Sequence, residues 1–260
     1  MRALDLENIG KTIDGTVVLS DVSWIVEEGE HWAVIGPNGS GKSTLLRVAG
    51  FQLHPTLGRV HVLGVELGRA DVRQLRAKIG LSSASLVDQL RGSLTAEEVV
   101  RCGQFAALEP WWHKYEPAHT ERAIKLLADV GLAGFEKHTF ASLSSGERQR
   151  ALLARTMMAN PSVVLLDEPT AGLDFVGRES LITALDDLAL LSDGPATVLV
   201  THHLEDIPGS TTHLLAMAEG RVVAKGPIDE IMSSSLLTEI FGMTVAVDRI
   251  GQRWSARADS

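Results

Sequence analysis

The residues best suited to chemistry are Gly36-Pro37-Asn38-Gly39-Ser40-Gly41-Lys42-Ser43-Thr44. Glycines at this spacing let the backbone turn its amides inward around a polyphosphate. Lys42 places a point charge at the β- and γ-phosphates, and the Ser43 hydroxyl can ligate Mg2+. The bland alternative is a flexible Gly/Ser turn. Against it stand the flanks: an apolar run at 32–35 leads in and Leu45-Leu46 leads out, giving strand, phosphate loop and helix in that order. The expected ligand is a nucleotide with Mg2+.

A second group follows the apolar run 163–166, where Asp167 and Glu168 place two carboxylates at the C-terminal end of a buried strand. If that strand neighbours the phosphate loop, Asp167 holds Mg2+ directly or through water and Glu168 polarises the attacking water. The structural alternative is an acidic helix cap. A third group, Leu143-Ser144-Ser145-Gly146-Glu147, opens a helix over 151–158. Ser144 and Gly146 at a helix mouth offer unpaired amides to an anion. On its own the segment also reads as an ordinary capped helix, with Glu147 at the capping-box position after Ser144.

The elements that must position these groups are legible in outline. Runs 32–35, 163–166 and 197–200 read as strands of a parallel sheet covered on both faces. Stretches 4–9 and 17–25, parted by Asp14-Gly15, predict an antiparallel hairpin. Stretches 213–217 and 221–224, joined at Glu219-Gly220, predict a closing one. Between about 85 and 160 the periodicity turns helical. In 120–131 the apolar residues 123, 124, 127 and 130 share one face, and Gly131 ends the run. The fold class is α/β: a P-loop NTPase core with a mostly parallel sheet, an N-terminal antiparallel β region and an inserted helical subdomain. The division is a core of about 1–84 and 161–242, a helical subdomain of about 85–160 and a short tail, 243–260, that forms a small hairpin.

A chain of 260 residues with net charge −9 suits one domain and gives no general surface for nucleic acid, so no nucleic-acid partner is expected. Cys102 stands alone, which rules out an internal disulfide, and reads as a small buried apolar residue. There is no signal-peptide core at the start and no window of about 18 apolar residues, so a cytoplasmic chain is expected.

With these motifs in this order, the sequence resembles the ATP-binding subunit of an ABC transporter over nearly its whole length. The Walker A loop at 36–44, the signature at 143–147, the Walker B strand into Asp167-Glu168, the segment Ala171-Gly172-Leu173-Asp174 and Thr201-His202 carry the likeness. The resemblance implies a head-to-tail dimer of two copies. ATP would lie between the Walker A loop of one and Ser144, Ser145 and Gly146 of the other, with His202 near the γ-phosphate and Asp174 at the seam. It implies separate transmembrane subunits and a place on the inner face of the membrane. Two positions depart from the pattern: Ile13 stands where the family has an aromatic against adenine, and Ala84 where it has a glutamine. With Ala84, Ser43 is the expected direct protein ligand of Mg2+.

Three functions compete. The first is a transport motor; the second is a soluble ABC-type ATPase working on a protein or nucleic-acid assembly; the third is a kinase or GTPase sharing the phosphate loop. The absence of a long coiled-coil insertion and of a second such domain favours transport. The third reading leaves 143–147 and Thr201-His202 unexplained. His31 and His203 are expected to be structural or solvated. Trp111-Trp112 are expected in the core of the helical subdomain.

Overall fold

The computed structural model describes residues 1–69, 75, 78–191 and 193–258, without the side chains of Ala84 and Ser85. Among the described residues three sheets hold twelve strands. The largest runs β10(Arg221–Pro227), β9(His213–Ala218), β3(His31–Ile35), β8(Ala196–Val200), β7(Val163–Asp167), β6(Ile79–Ser83), and only its β10–β9 pairing is antiparallel. Its strands β3, β7 and β8 are apolar apart from His31, Thr197 and the terminal Asp167, as burial on both faces requires. The second sheet is antiparallel, in the order β2(Thr16–Glu27), β1(Arg2–Ile13), β4(Leu57–Val62), β5(Val65–Glu66). The tail forms the hairpin β11(Val245–Ile250)–β12(Arg253–Ala258).

Eight α-helices occur among the described residues: α1(Lys42–Ala49), α2(Ala84–Gln89), α3(Ala96–Cys102), α4(Pro117–Asp129), α5(Ser145–Thr156), α6(Phe175–Ala189), α7(Ile228–Ile231) and α8(Ser234–Phe241). Helix α1 lies between the two large sheets, where Leu45, Leu46 and Val48 pack with Trp24, Val60, Leu165 and Val198. A separate apolar cluster joins α3, α4 and α5 through Val99, Val100, Ala123, Leu127, Leu152 and Phe140. Arg122 fixes α4 to the end of α5 by donating to the Met157 and Met158 carbonyls at 2.9 Å each. A third cluster packs α7, α8 and the tail hairpin under Ile35, Leu214 and Ala216.

Cys102 is fully buried, as expected, and the core of α4 includes Ala123 and Leu127. Other expectations fail. Ile124 is exposed: at 3.6 residues per turn, α4 buries the stripe through 123 and 127 and turns 124 outward. Trp111 is 59% exposed and Trp112 85%, so neither belongs to the core. Both lie in a 3-10 turn opened by Pro110, and Arg91 lies 4.5 Å over the Trp111 ring. The central sheet also has one strand more than the apolar runs suggest, β6, whose five residues include a glycine and two serines.

Candidate functional site

Phosphate-loop residues 36–41 connect β3 to α1. Gly41 is the N-cap of α1 at φ 96°, a conformation that L side chains rarely adopt; a Cβ there would sit 2.8 Å from Leu19 and 2.9 Å from the Val18 carbonyl. No side chain caps the helix, so its first amides stay open at the positive end of the dipole. The Ser40 hydroxyl is buried without a hydrogen-bond partner among the described residues. A hollow of about 180 Å³ lies over this turn, lined by Asn38, Gly39, Gly41, Lys42, Ser43, Thr44, Val18 and Glu168. Val18 from β2 supplies an apolar wall. Ile13, at the end of β1, lines no part of the hollow.

Lys42 is 4% exposed, and its ammonium donates to the carbonyls of Gly36 at 2.8 Å and Pro37 at 2.9 Å. Burial pushes its pKa down, opposed by the charges of Glu168 and Asp167. Asp167 ends β7, two strands from β3 with β8 between them, and accepts a hydrogen bond from Ser43 Oγ at 3.0 Å. Burial raises its pKa; the Ser43 bond lowers it and the neighbouring Glu168 charge raises it further. A hydroxyl and a carboxylate in contact form a hard-oxygen pair suited to Mg2+, whose charge would offset the cost of holding Asp167 ionised.

Glu168 takes a left-handed backbone conformation, φ 48°, while its amide donates to Val200 O at 3.0 Å. This turns the chain out of the sheet at the strand end and aims the carboxylate at the hollow, an uncommon conformation for a side-chain-bearing residue. His202 follows β8, and its Nδ1 lies 3.1 Å from Glu168 Oε1, so with Glu168 ionised the ring nitrogen donates. The ring of its neighbour His203 lies tilted beside it, centroids 4.0 Å apart. His31 hydrogen-bonds Thr197 at 2.9 Å, and His213 stacks on Trp32 at 4.7 Å.

The signature residues sit elsewhere. Ser144 is the N-cap of α5, accepting from the Glu147 amide at 3.3 Å, while Glu147 accepts from the Ser144 amide at 2.7 Å, a reciprocal capping box. Asp174 caps α6, accepting from the Gly177 amide at 2.7 Å. The mouths of α5 and α6 meet where Gly146 faces Gly177, and a Cβ on Gly146 would come within 3.0 Å of the Gly177 Cα. None of Ser144, Ser145, Gly146 and Asp174 lines the phosphate hollow. One chain therefore brings together Lys42, Ser43, Asp167, Glu168 and His202, and keeps the signature apart. The reading of the Ala84 side chain lies outside the described residues; Ser83 is the N-cap of α2. The sequence reading passed over Asp206, 2% exposed, which accepts hydrogen bonds from Thr170 and Thr201. The available signal was an acid set four residues after His202, in the run Leu204-Glu205-Asp206-Ile207.

Residues 19–171 match the ABC transporter family model. The chain is a member of that family. It is 36% identical to an uncharacterised ABC transporter ATP-binding protein of Bacillus subtilis, over 94% of this chain and 92% of that one. It is 31% identical to an ABC transporter ATP-binding protein of Streptococcus mutans, over 97% of each. Among solved structures, the ADP conformation of an ATP-binding cassette of an ABC transporter superposes with a TM-score of 0.80 at 26% identity, covering 93% of this chain and 98% of that one. A dimeric cassette in a post-hydrolysis state bound to ADP and Pi does so with 0.75 at 28% identity, covering 86% and 98%. The fold is the P-loop NTPase core of this family. No helix among the described residues of this ABC cassette is long and apolar enough to cross a membrane.

Proposed function

We propose that this cassette binds and hydrolyses ATP and powers a membrane transporter through ATP-driven closure of a two-copy dimer. Residues 36–44 hold the triphosphate, with Lys42 neutralising charge at the β- and γ-phosphates. Ser43 and Asp167 would hold Mg2+, which when bound screens phosphate charge. Glu168 takes the proton of the attacking water, and His202, hydrogen-bonded to it, keeps the carboxylate aimed. Ser144, Ser145 and Gly146 of the second copy complete the site, with Asp174 at the seam. Residues 85–160 act as a helical subdomain that carries the signature, and separate membrane-spanning subunits hold the cassette at the inner face of the membrane.

The observation that carries this reading is the 3.1 Å contact between His202 and a Glu168 turned into the phosphate hollow. An acid with a positioned partner beside a triphosphate cradle suits hydrolysis better than binding alone. Relatives named as phosphonate and ferric enterobactin transport ATP-binding proteins support transport over an assembly without a membrane partner. The test is Glu168→Gln, followed by phosphate release and by size-exclusion mass with and without ATP and Mg2+. The variant is expected to bind ATP, turn over slowly and accumulate as a dimer; a monomer with wild-type turnover would overturn the role.

A further inference from the structure

We infer that Asp206 is a positioning residue for ATP hydrolysis, tying the three segments that carry Glu168, His202 and Asp174 into one unit. This rests on the hydrolytic reading above. The Asp206 side chain lies in the 3-10 turn of residues 204–206, which follows the His202 segment. Its Oδ2 accepts from Thr170 Oγ1 at 2.7 Å, two residues after Glu168, and from Thr201 Oγ1 at 3.0 Å, immediately before His202. Thr201 Oγ1 in turn accepts from the His203 amide at 3.1 Å. One carboxylate oxygen thus fixes the exits of β7 and β8, from which the acid and its histidine project.

The other oxygen faces the third segment. Asp206 Oδ1 lies 3.9 Å from Arg178 Nε on α6, one turn after Asp174, and both atoms are buried with no hydrogen-bond partner among the described residues. They border a hollow of about 250 Å³ that Glu168 and His202 also line. On its far side Arg178 lies 3.6 Å from Glu179 Oε1, Glu179 lies 3.1 Å from Arg253 on β12, and Arg253 donates to the Glu205 carbonyl. The charges alternate in sign around a ring that leaves the 3-10 turn, crosses α6 and the tail hairpin, and returns to it. A buried carboxylate with no role in packing apolar surface is costly unless such partners hold it. A shift of α6 at the seam changes the 3.9 Å gap to Asp206, and so acts on the segments bearing Glu168 and His202.

The test uses the full chain with Asp206→Asn, Arg178→Met and the double variant. Asn keeps the volume and an oxygen for the two threonines but loses the charge facing Arg178. Either single change is expected to lower kcat about tenfold or more while ATP affinity, measured by equilibrium dialysis, stays within about twofold. The double variant is expected to be no slower than the slower single, because both remove one interaction. Hydrogen exchange should rise together in 168–174 and 201–206 in each single variant. Should Asp206→Asn fail to fold, Arg178→Met, which leaves the threonine bonds intact, still reads kcat and exchange. Single variants within twofold of wild-type kcat, losses that multiply in the double, or kcat and ATP affinity falling together with Tm would each overturn the role. If wild type and Glu168→Gln turn over equally, the hydrolytic reading has failed and the positioning role falls with it; unchanged Asp206→Asn beside an impaired Glu168→Gln refutes the positioning role alone.

Discussion

The two helix mouths that the proposed mechanism sets against the same phosphate are built in opposite ways. Helix α1 starts on Gly41 in a left-handed conformation with no side chain on its amides, and a buried lysine stands beside it. Helix α5 starts on Ser144, whose hydroxyl already caps the Glu147 amide, and the Glu147 carboxylate accepts from the Ser144 amide in return. The first mouth is an uncapped anion cradle whose positive charge is already in place. The second carries a negative charge of its own and is not lined up with the first within one chain. A phosphate can be held by α1 alone, whereas α5 can contribute only against a phosphate that is already charge-compensated and delivered to it. That asymmetry is what a site divided between two copies requires.

The largest expected effect falls on the first mouth. Lys42→Ala removes the charge that the cradle needs, and turnover should drop on the order of 100-fold or more, with ADP and ATP binding both weakened. Titration of a fluorescent nucleotide checks it; wild-type affinity would remove the phosphate-loop assignment. Ser145→Arg puts bulk and charge on the second mouth. Hydrolysis should be lost while nucleotide binding on the Walker A side stays intact, a split that separates the two mouths directly.

Asp167→Asn sharpens the contrast from the side of stability. The Asp167 carboxyl titrates above its ordinary value of 3.8, chiefly through burial, so the folded state holds that proton more tightly than the unfolded one. Its favourable contribution is complete below 3.8, is lost as pH rises through the raised value and becomes a cost at neutral pH. Removing the charge should therefore raise Tm at pH 7 by about 2 °C, with little gain at pH 4, while Mg2+ stimulation of turnover disappears. A Tm that falls equally at both pH values would contradict the burial assignment. The smallest effect belongs to the cap: Ser144→Ala should cost about 1 kcal/mol in urea unfolding. No comparable cap exists at Gly41 to remove.

The cradle was legible in the sequence because its chemistry is local. Glycine spacing, one lysine and one hydroxyl act within nine residues, and the flanking apolar runs identify strand and helix. The two acids were legible for the same reason, since they close an unbroken apolar strand. Asp206 was not, because its partners Thr170 and Thr201 come together only through the β7–β8 pairing. Strand β6 escaped notice because Gly80, Ser82 and Ser83 suppress the apolar signal, and the parallel pairing with β7 stabilises it instead. Trp111 and Trp112 show the opposite failure: aromatic character argued for a core, but both rings sit exposed in the turn opened by Pro110.

The central claim is that an active site needs the cradle of one copy and the signature of another, and mixing Lys42→Ala with Ser145→Arg tests it most directly. Each variant alone should be inactive. In a mixed dimer one site carries both lesions and the other neither, so random pairing at equal amounts should restore about a quarter of wild-type sites. Activity that returns in proportion to the heterodimer, measured with differently tagged copies, is the predicted result. Demonstrable heterodimers that regain no activity would contradict the account.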